Sequence, residues 1–145
     1  MLSKISSVLG FVIAVIGLAF LIYNHYIISE NPIILIAQLM AFCLMIWARL
    51  TFKFRSFHLT ANTTKGGLVT SGPYKWLRHP IYAAVIYFGW ICFIAFPNIE
   101  ASIAATFITG GLFIRMILEE KALNEEYPEY PEYSKRAKRL IPFIY

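Results

Sequence analysis

Residues 8–28 read VLGFVIAVIGLAFLIYNHYII, an apolar run interrupted in polarity only by Asn24 and His25. A helix over this stretch, rising about 1.5 Å per residue, is roughly 31 Å long, which matches the hydrocarbon core of a bilayer. Lys4 is the one charge before it. Its length and the lack of a small-residue cleavage pattern predict a retained membrane helix rather than a removed leader. Three further apolar runs follow at 33–52, 80–96 and 101–118. The connections Ser29-Glu30-Asn31-Pro32 and Pro97-Asn98-Ile99-Glu100 are short enough to join only antiparallel neighbours. Pro80 suits a first helical turn, where its missing N–H is not needed. Arg49 can snorkel from the end of the second run, and Gly110 with Gly111 permits close helix contact in lipid.

The composition agrees with that reading. Of 145 residues, 59% are hydrophobic and only 14% charged, with a mean hydropathy of +0.63, whereas soluble domains carry roughly 25% charged residues. So few charges cannot cover a water-facing globule without leaving large apolar patches. The net charge is +5, but the basic residues stand beside apolar runs instead of forming a stripe, which argues against nucleic acid as a partner. Cys43 and Cys92 lie inside apolar runs without companions at metal spacing, so they read as packing residues. Lysines and arginines fall before the first run (Lys4), between the second and third (Lys53, Arg55, Lys65, Lys75, Arg78) and after the fourth (Lys121, Lys135, Arg136, Lys138, Arg139). The positive-inside rule then puts the N-terminus, the loop 53–79 and the tail 119–145 in the cytoplasm. The expected fold is an all-α, multi-pass integral membrane protein: a single domain over 1–145 with about four transmembrane helices.

Two polar segments carry chemistry. The loop 53–79 is long enough to be functional. It has turn signals at Lys65-Gly66-Gly67 and Ser71-Gly72-Pro73 around the extended stretch Leu68-Val69-Thr70, and it ends in Arg78-His79-Pro80-Ile81-Tyr82. On their own Arg78, Trp76 and Tyr82 would pass for an interfacial anchor, and His79 for a hydrogen-bonded structural imidazole. The second segment leaves the fourth run as Arg115-Met116-Ile117-Leu118-Glu119-Glu120, with Arg115 and Glu119 sharing a helical face. An arginine in the last membrane turn needs protein, water or an anion to face. Taken alone, the pair reads as a snorkelling ion pair. In the tail, Pro131 can start a last helix, which over 132–140 would be basic and amphipathic, facing solvent or anionic head groups.

Together, Leu68-Val69-Thr70, Gly72, Tyr74, Arg78-His79-Pro80 and Tyr82, then Arg115, Glu119-Glu120 and Leu123, then Tyr130, Tyr133 and Leu140-Ile141-Pro142-Phe143-Ile144 resemble the isoprenylcysteine carboxyl methyltransferase family, and more distantly the phospholipid N-methyltransferases. The resemblance runs from about Gly66 through residue 145. It implies an enzyme that takes S-adenosylmethionine from the cytosol and a lipid-modified or amphiphilic acceptor from the bilayer, with the cofactor site built from the loop before the third helix and the helical tail. Carried over by position, the cofactor contacts fall on Gly66, Gly67, Leu68, Val69, Tyr74, His79, Pro80, Ile81, Tyr82 and Glu119. Arg115 falls on the residue that orients the acceptor, so Arg115 and Glu119 are the expected catalytic pair.

Two other readings use the same residues. Membrane sterol reductases, which use NADPH, also resemble this half of the chain, but four helices leave little room for a sterol and a dinucleotide. A non-catalytic four-helix scaffold explains the topology equally well but gives no reason for Arg115, Glu119 and the Arg78–Tyr82 cluster to meet on one face. No Gly-x-Gly-x-x-Gly occurs between a strand and a helix, which argues against a soluble Rossmann-type methyltransferase.

Overall fold

The computed structural model describes residues 2–52 and 67–145. Among them five α-helices run as α1 (Leu2–Tyr23), α2 (Pro32–Phe52), α3 (Pro80–Ala95), α4 (Ile99–Glu126) and α5 (Tyr130–Arg136), with a short 3-10 turn over Gly72–Lys75 before α3. There is no sheet among the described residues, only one isolated parallel bridge between Leu77 and Lys138. α1 (from Ile5), α2 and α4 are each long and apolar enough to cross a membrane. α3 occupies the third apolar run; its 16 residues at about 1.5 Å each make it roughly 24 Å long, so it is the short member of the bundle.

The helix ends differ from the apolar runs for local reasons. α1 stops at Tyr23, not at 28, because the Asn24 side chain donates to the Phe20 carbonyl at 2.9 Å and His25 takes a φ of 59°, in the left-handed region that Asn and His enter more readily than most residues. The turn that follows is pinned by the buried Gln38 of α2, whose amide nitrogen donates to the Ile27 carbonyl and whose oxygen accepts from the Ser29 N–H at 3.2 Å. α4 is capped by Asn98, which accepts from the Ala101 N–H at 2.8 Å. It continues well beyond 118, because Glu119-Glu120-Lys121-Ala122-Leu123 ends the apolar run while remaining made of strong helix formers.

The helices pack in the order α1, α4, α3, α2, each on the next. α1 and α4 approach most closely where two glycines meet: a Cβ on Gly10 would lie 2.6 Å from the Gly111 carbonyl oxygen. The expectation for close glycine contact therefore holds at Gly111, which meets Gly10 and Ala14 of α1, while Gly17 of α1 lies against Ala104 and Ile108 of α4 and Gly110 faces open space. Of the two cysteines, Cys92 is buried in the core and Cys43 is exposed on α2, so only Cys92 is a packing residue.

The tail departs most from expectation. A basic amphipathic helix over 132–140 is not present: α5 begins around Pro131, as that residue permits, but ends at Arg136. Beyond it the chain turns back beside the segment that precedes α3. The Lys138 N–H donates to the Trp76 carbonyl at 2.9 Å, the Arg78 N–H to the Lys138 carbonyl at 2.6 Å and the His79 N–H to the Arg139 carbonyl at 3.2 Å. Extended pairing of this kind uses backbone groups that a helix would consume within itself, so α5 must stop for it to form.

Candidate functional site

Where the 67–82 segment, the second half of α4 and the tail converge, they enclose one cavity of about 510 Å³. Ten of the eleven residues singled out from the sequence line it: Gly67, Leu68, Val69, Tyr74, His79, Pro80, Ile81, Tyr82, Arg115 and Glu119. Gly66, the eleventh, lies outside the described residues. Local structure explains the convergence. Pro80 opens α3, which fixes His79 immediately before the helix, its carbonyl already accepting from the Ala83 N–H at 2.9 Å. Tyr82 follows within the first turn of α3. On α4, Arg115 and Glu119 present themselves on the same face one turn apart.

The polar wall is a connected set of contacts. His79 is buried, with Nδ1 at 3.5 Å from Glu119 Oε2 and Nε2 at 3.3 Å from Glu120 Oε1. Its ring stacks on Tyr82 with centroids 5.4 Å apart and planes 4° from parallel. The Tyr82 hydroxyl in turn accepts from Arg115 Nε at 2.7 Å, and the Arg115 guanidinium lies 5.3 Å over the Phe11 ring of α1. Burial alone would push the His79 imidazole toward its neutral form. The hydrogen bonds and negative charge of Glu119 and Glu120 outweigh that, so its pKa is raised above the ordinary value. Tyr74 and Tyr133 are raised by burial, and Tyr130 is pushed up to about 12 for the same reason. These phenols stay protonated at neutral pH, so the wall offers hydroxyls rather than phenolates.

Sequence reasoning did not find several features of this wall. Arg78 and Arg139 are not an interfacial anchor and a free head-group contact: Arg78 Nη1 lies 3.0 Å from Glu120 Oε1, and Arg139 Nη2 lies 2.9 Å from Glu120 Oε2. Arg49, expected to snorkel, lines the cavity, as do Tyr127, Tyr130 and Tyr133 of the tail. The Tyr133 hydroxyl donates to the Tyr74 carbonyl at 2.7 Å, tying α5 to the 3-10 turn. From the opposite side Phe11, Ala14, Val15 and Leu18 of α1, Met45 of α2 and Leu112 of α4 give the cavity an apolar limb that reaches into the bundle. No short motif marks the apolar residues of this limb; only the antiparallel order of the helices, combined with the depth of each, could have found them.

The decisive comparison is with protein families. The model of the isoprenylcysteine carboxyl methyltransferase (ICMT) family matches residues 31–125, well over half of the chain. The chain belongs to this family. It is accordingly an integral membrane protein of a methyltransferase family, and the long apolar helices fit that assignment. Membership gives no support to the sterol-reductase alternative. The match takes in α2, α3 and nearly all of α4, and therefore His79 just before α3 together with the helices that carry Tyr82, Arg115 and Glu119. No curated protein and no solved structure matches the chain.

Proposed function

We propose that this protein catalyses S-adenosylmethionine-dependent methyl transfer to a membrane-resident, lipid-like acceptor whose reacting group is a carboxylate. The observation that carries the reading is a single cavity with two characters, polar at Glu119, His79, Tyr82 and Arg115 and apolar along Phe11, Ala14, Val15, Leu18 and Met45. Among the described residues α1 and α2 scarcely touch, each being packed on α4 or α3 instead. The apolar limb can therefore receive a hydrocarbon chain from the bilayer. In this reading α3 serves as a fourth, short span, and the polar end of the bundle faces the cytoplasm together with both chain termini. Lys75, Lys121, Lys135, Arg136 and Lys138 support that orientation; Lys53, Arg55 and Lys65 lie outside the described residues.

The residues present fit such a donor. A cavity of about 510 Å³ is of the size that small-molecule sites have, about 300–1,000 Å³. The Glu119 carboxylate and the tyrosine faces in the wall suit a cationic group, and the arginines suit a carboxylate. When bound, the donor supplies an electrophilic methyl group on a sulfonium. Gly67, Leu68, Val69, Tyr74, Pro80 and Ile81 would cradle it, with Glu119 and His79 as its polar contacts. Arg115 would hold the acceptor carboxylate, oriented by its bond to Tyr82. A carboxylate is already ionised, so no general base is required, and His79 is not assigned one. Alignment of acceptor and donor, with water excluded by the buried wall, can supply most of the acceleration. Among the described residues that line the cavity, the guanidinium groups of Arg49, Arg78 and Arg115 stand against the carboxylate of Glu119, and even with Arg78 paired to Glu120 that balance favours an anionic acceptor over an amine.

The test is to incubate the protein in lipid nanodiscs with methyl-tritiated S-adenosylmethionine and a membrane lipid extract. Label that enters the organic phase and is released as methanol by mild base is the expected result. Base-stable label would indicate an amine acceptor, and the absence of any transfer would remove the enzymatic reading.

A further inference from the structure

Glu120 stands directly beside Glu119 in sequence, yet it does not line the cavity. It is buried, 8% exposed, behind His79. Both of its oxygens are occupied by groups from outside α4. Oε1 takes Arg78 Nη1 at 3.0 Å and His79 Nε2 at 3.3 Å. Oε2 takes Arg139 Nε at 3.0 Å and Nη2 at 2.9 Å. Arg139 is itself steadied, its Nη1 donating to the Tyr145 hydroxyl at 2.9 Å. A carboxylate that collects the pre-α3 segment and the returning tail on one side chain is more than a neutralising charge. It fixes the azimuth of the His79 ring from the side away from the cavity.

That azimuth has consequences on the near side. With Nε2 committed to Glu120, Nδ1 is the nitrogen left to face Glu119, and it does so at 3.5 Å. The same ring plane lies parallel to Tyr82, whose hydroxyl receives Arg115 Nε. A rotation of the His79 ring would therefore disturb both groups to which methyl transfer is assigned above. We propose that Glu120 is a positioning residue of the transfer site, holding Glu119 and Arg115 in place through the His79 ring without touching either substrate. This rests on the methyl-transfer reading, and it adds a residue and a tail segment, 138–145, to the machinery. The principle is the one by which outer-shell partners orient the groups that do the contacting, where their loss commonly costs 10–100-fold in function.

The experiment compares Glu120→Gln, Glu120→Asp and Arg139→Gln in nanodiscs, reading methyl-transfer kinetics together with nitrogen-15 spectra of histidine-labelled protein. The chain has three histidines, so His79→Asn assigns the His79 signals. Glu120→Gln is expected to lower kcat about 10–100-fold, to leave the acceptor KM within about threefold because Arg115 still carries its charge, and to shift the His79 Nε2 resonance. Glu120→Asp, which keeps the charge, should recover part of the rate. If Glu120→Gln yields no folded protein, Arg139→Gln decides: it frees Oε2 alone and should lower kcat several-fold with a smaller change at His79. Unchanged kcat and His79 resonances in whichever variants fold would overturn the proposal. Should the unaltered protein transfer no methyl group, the functional reading fails by itself, while the His79 resonances still report whether Glu120 holds the ring.

Discussion

Replacing Arg115 by lysine keeps a positive charge in the cavity and removes the fork that a carboxylate would grip. Arg115 is only 6% exposed, so what it contacts is shielded from water, and its Nε–H is already spent on Tyr82 at 2.7 Å. An ammonium on a flexible stem is a point charge that cannot orient a planar carboxylate at two points while also holding a phenol. A hydrogen bond involving a charged group contributes about 1.5–3 kcal/mol, and a neutral one about 0.5–1.5 kcal/mol. The guanidinium donates both bonds, so losing one contact to the acceptor and the contact to Tyr82 should cost about 3–6 kcal/mol, equivalent to a fall of about 100- to 20,000-fold in kcat/KM. The assay is steady-state methyl transfer in nanodiscs to a synthetic amphiphilic carboxylate, with donor affinity measured separately by calorimetry. Donor affinity should stay within about threefold of the unaltered protein, because the proposed donor contacts lie on the 67–82 segment and Glu119. A kcat/KM within threefold of the unaltered protein, or a loss confined to donor binding, would refute the assignment of Arg115 to the acceptor.

Other outcomes follow from the packing and the buried charges. Gly10→Ala puts a methyl group where the Gly111 carbonyl oxygen is 2.6 Å away; it should cost about 1–3 kcal/mol of stability, seen as a lower unfolding temperature in detergent, while Gly110→Ala, which meets nothing, should not destabilise. The raised pKa of His79 means that the folded state binds its proton more tightly than the unfolded chain does. That stability is fully present below the unfolded value of about 6.5 and is lost as the pH rises through the higher folded value; an unfolding series across that range should slope downward for the protein and flatten for His79→Gln. Tyr133→Phe removes the buried bond to the Tyr74 carbonyl at 2.7 Å and should cost about 1–3 kcal/mol by leaving that carbonyl unpaired, readable as faster proteolysis of the tail.

Much of this arrangement could be read from the chain before folding, and the boundary of what could be read has physical causes. Apolar runs of membrane length place α1, α2 and α4 because lipid leaves a chain few alternatives to a helix. Pro80 and Pro131 locate helix starts through the donor they lack. Ten site residues were reached because they sit in two short segments whose residue types are unusual beside a membrane. What escaped depends on pairings distant in sequence. Nothing in Lys138-Arg139-Leu140 signals that it will run parallel to Leu77 rather than extend α5, since extended and helical states of so short a polar stretch differ by little until the partner is present. Glu119 and Glu120 are indistinguishable by type; the helix turns by about 100° between neighbours, which sends one toward the cavity and the other toward Arg78 and Arg139. Gly10 and Gly17 looked like ordinary members of an apolar run, and only the crossing of α1 on α4 gives them a reason.

The claim on which the functional account depends is that one cavity, walled by the 67–82 segment, α4 and the tail, holds the methyl donor. Ultraviolet cross-linking of radiolabelled S-adenosylmethionine to the purified protein, followed by peptide mapping, tests it most directly. The account predicts saturable label in peptides containing residues 67–82 or 115–133, displaced by S-adenosylhomocysteine and strongly reduced in Glu119→Gln. Label that does not saturate, or that falls on the far end of the bundle around residues 24–31 and 96–104, would contradict it.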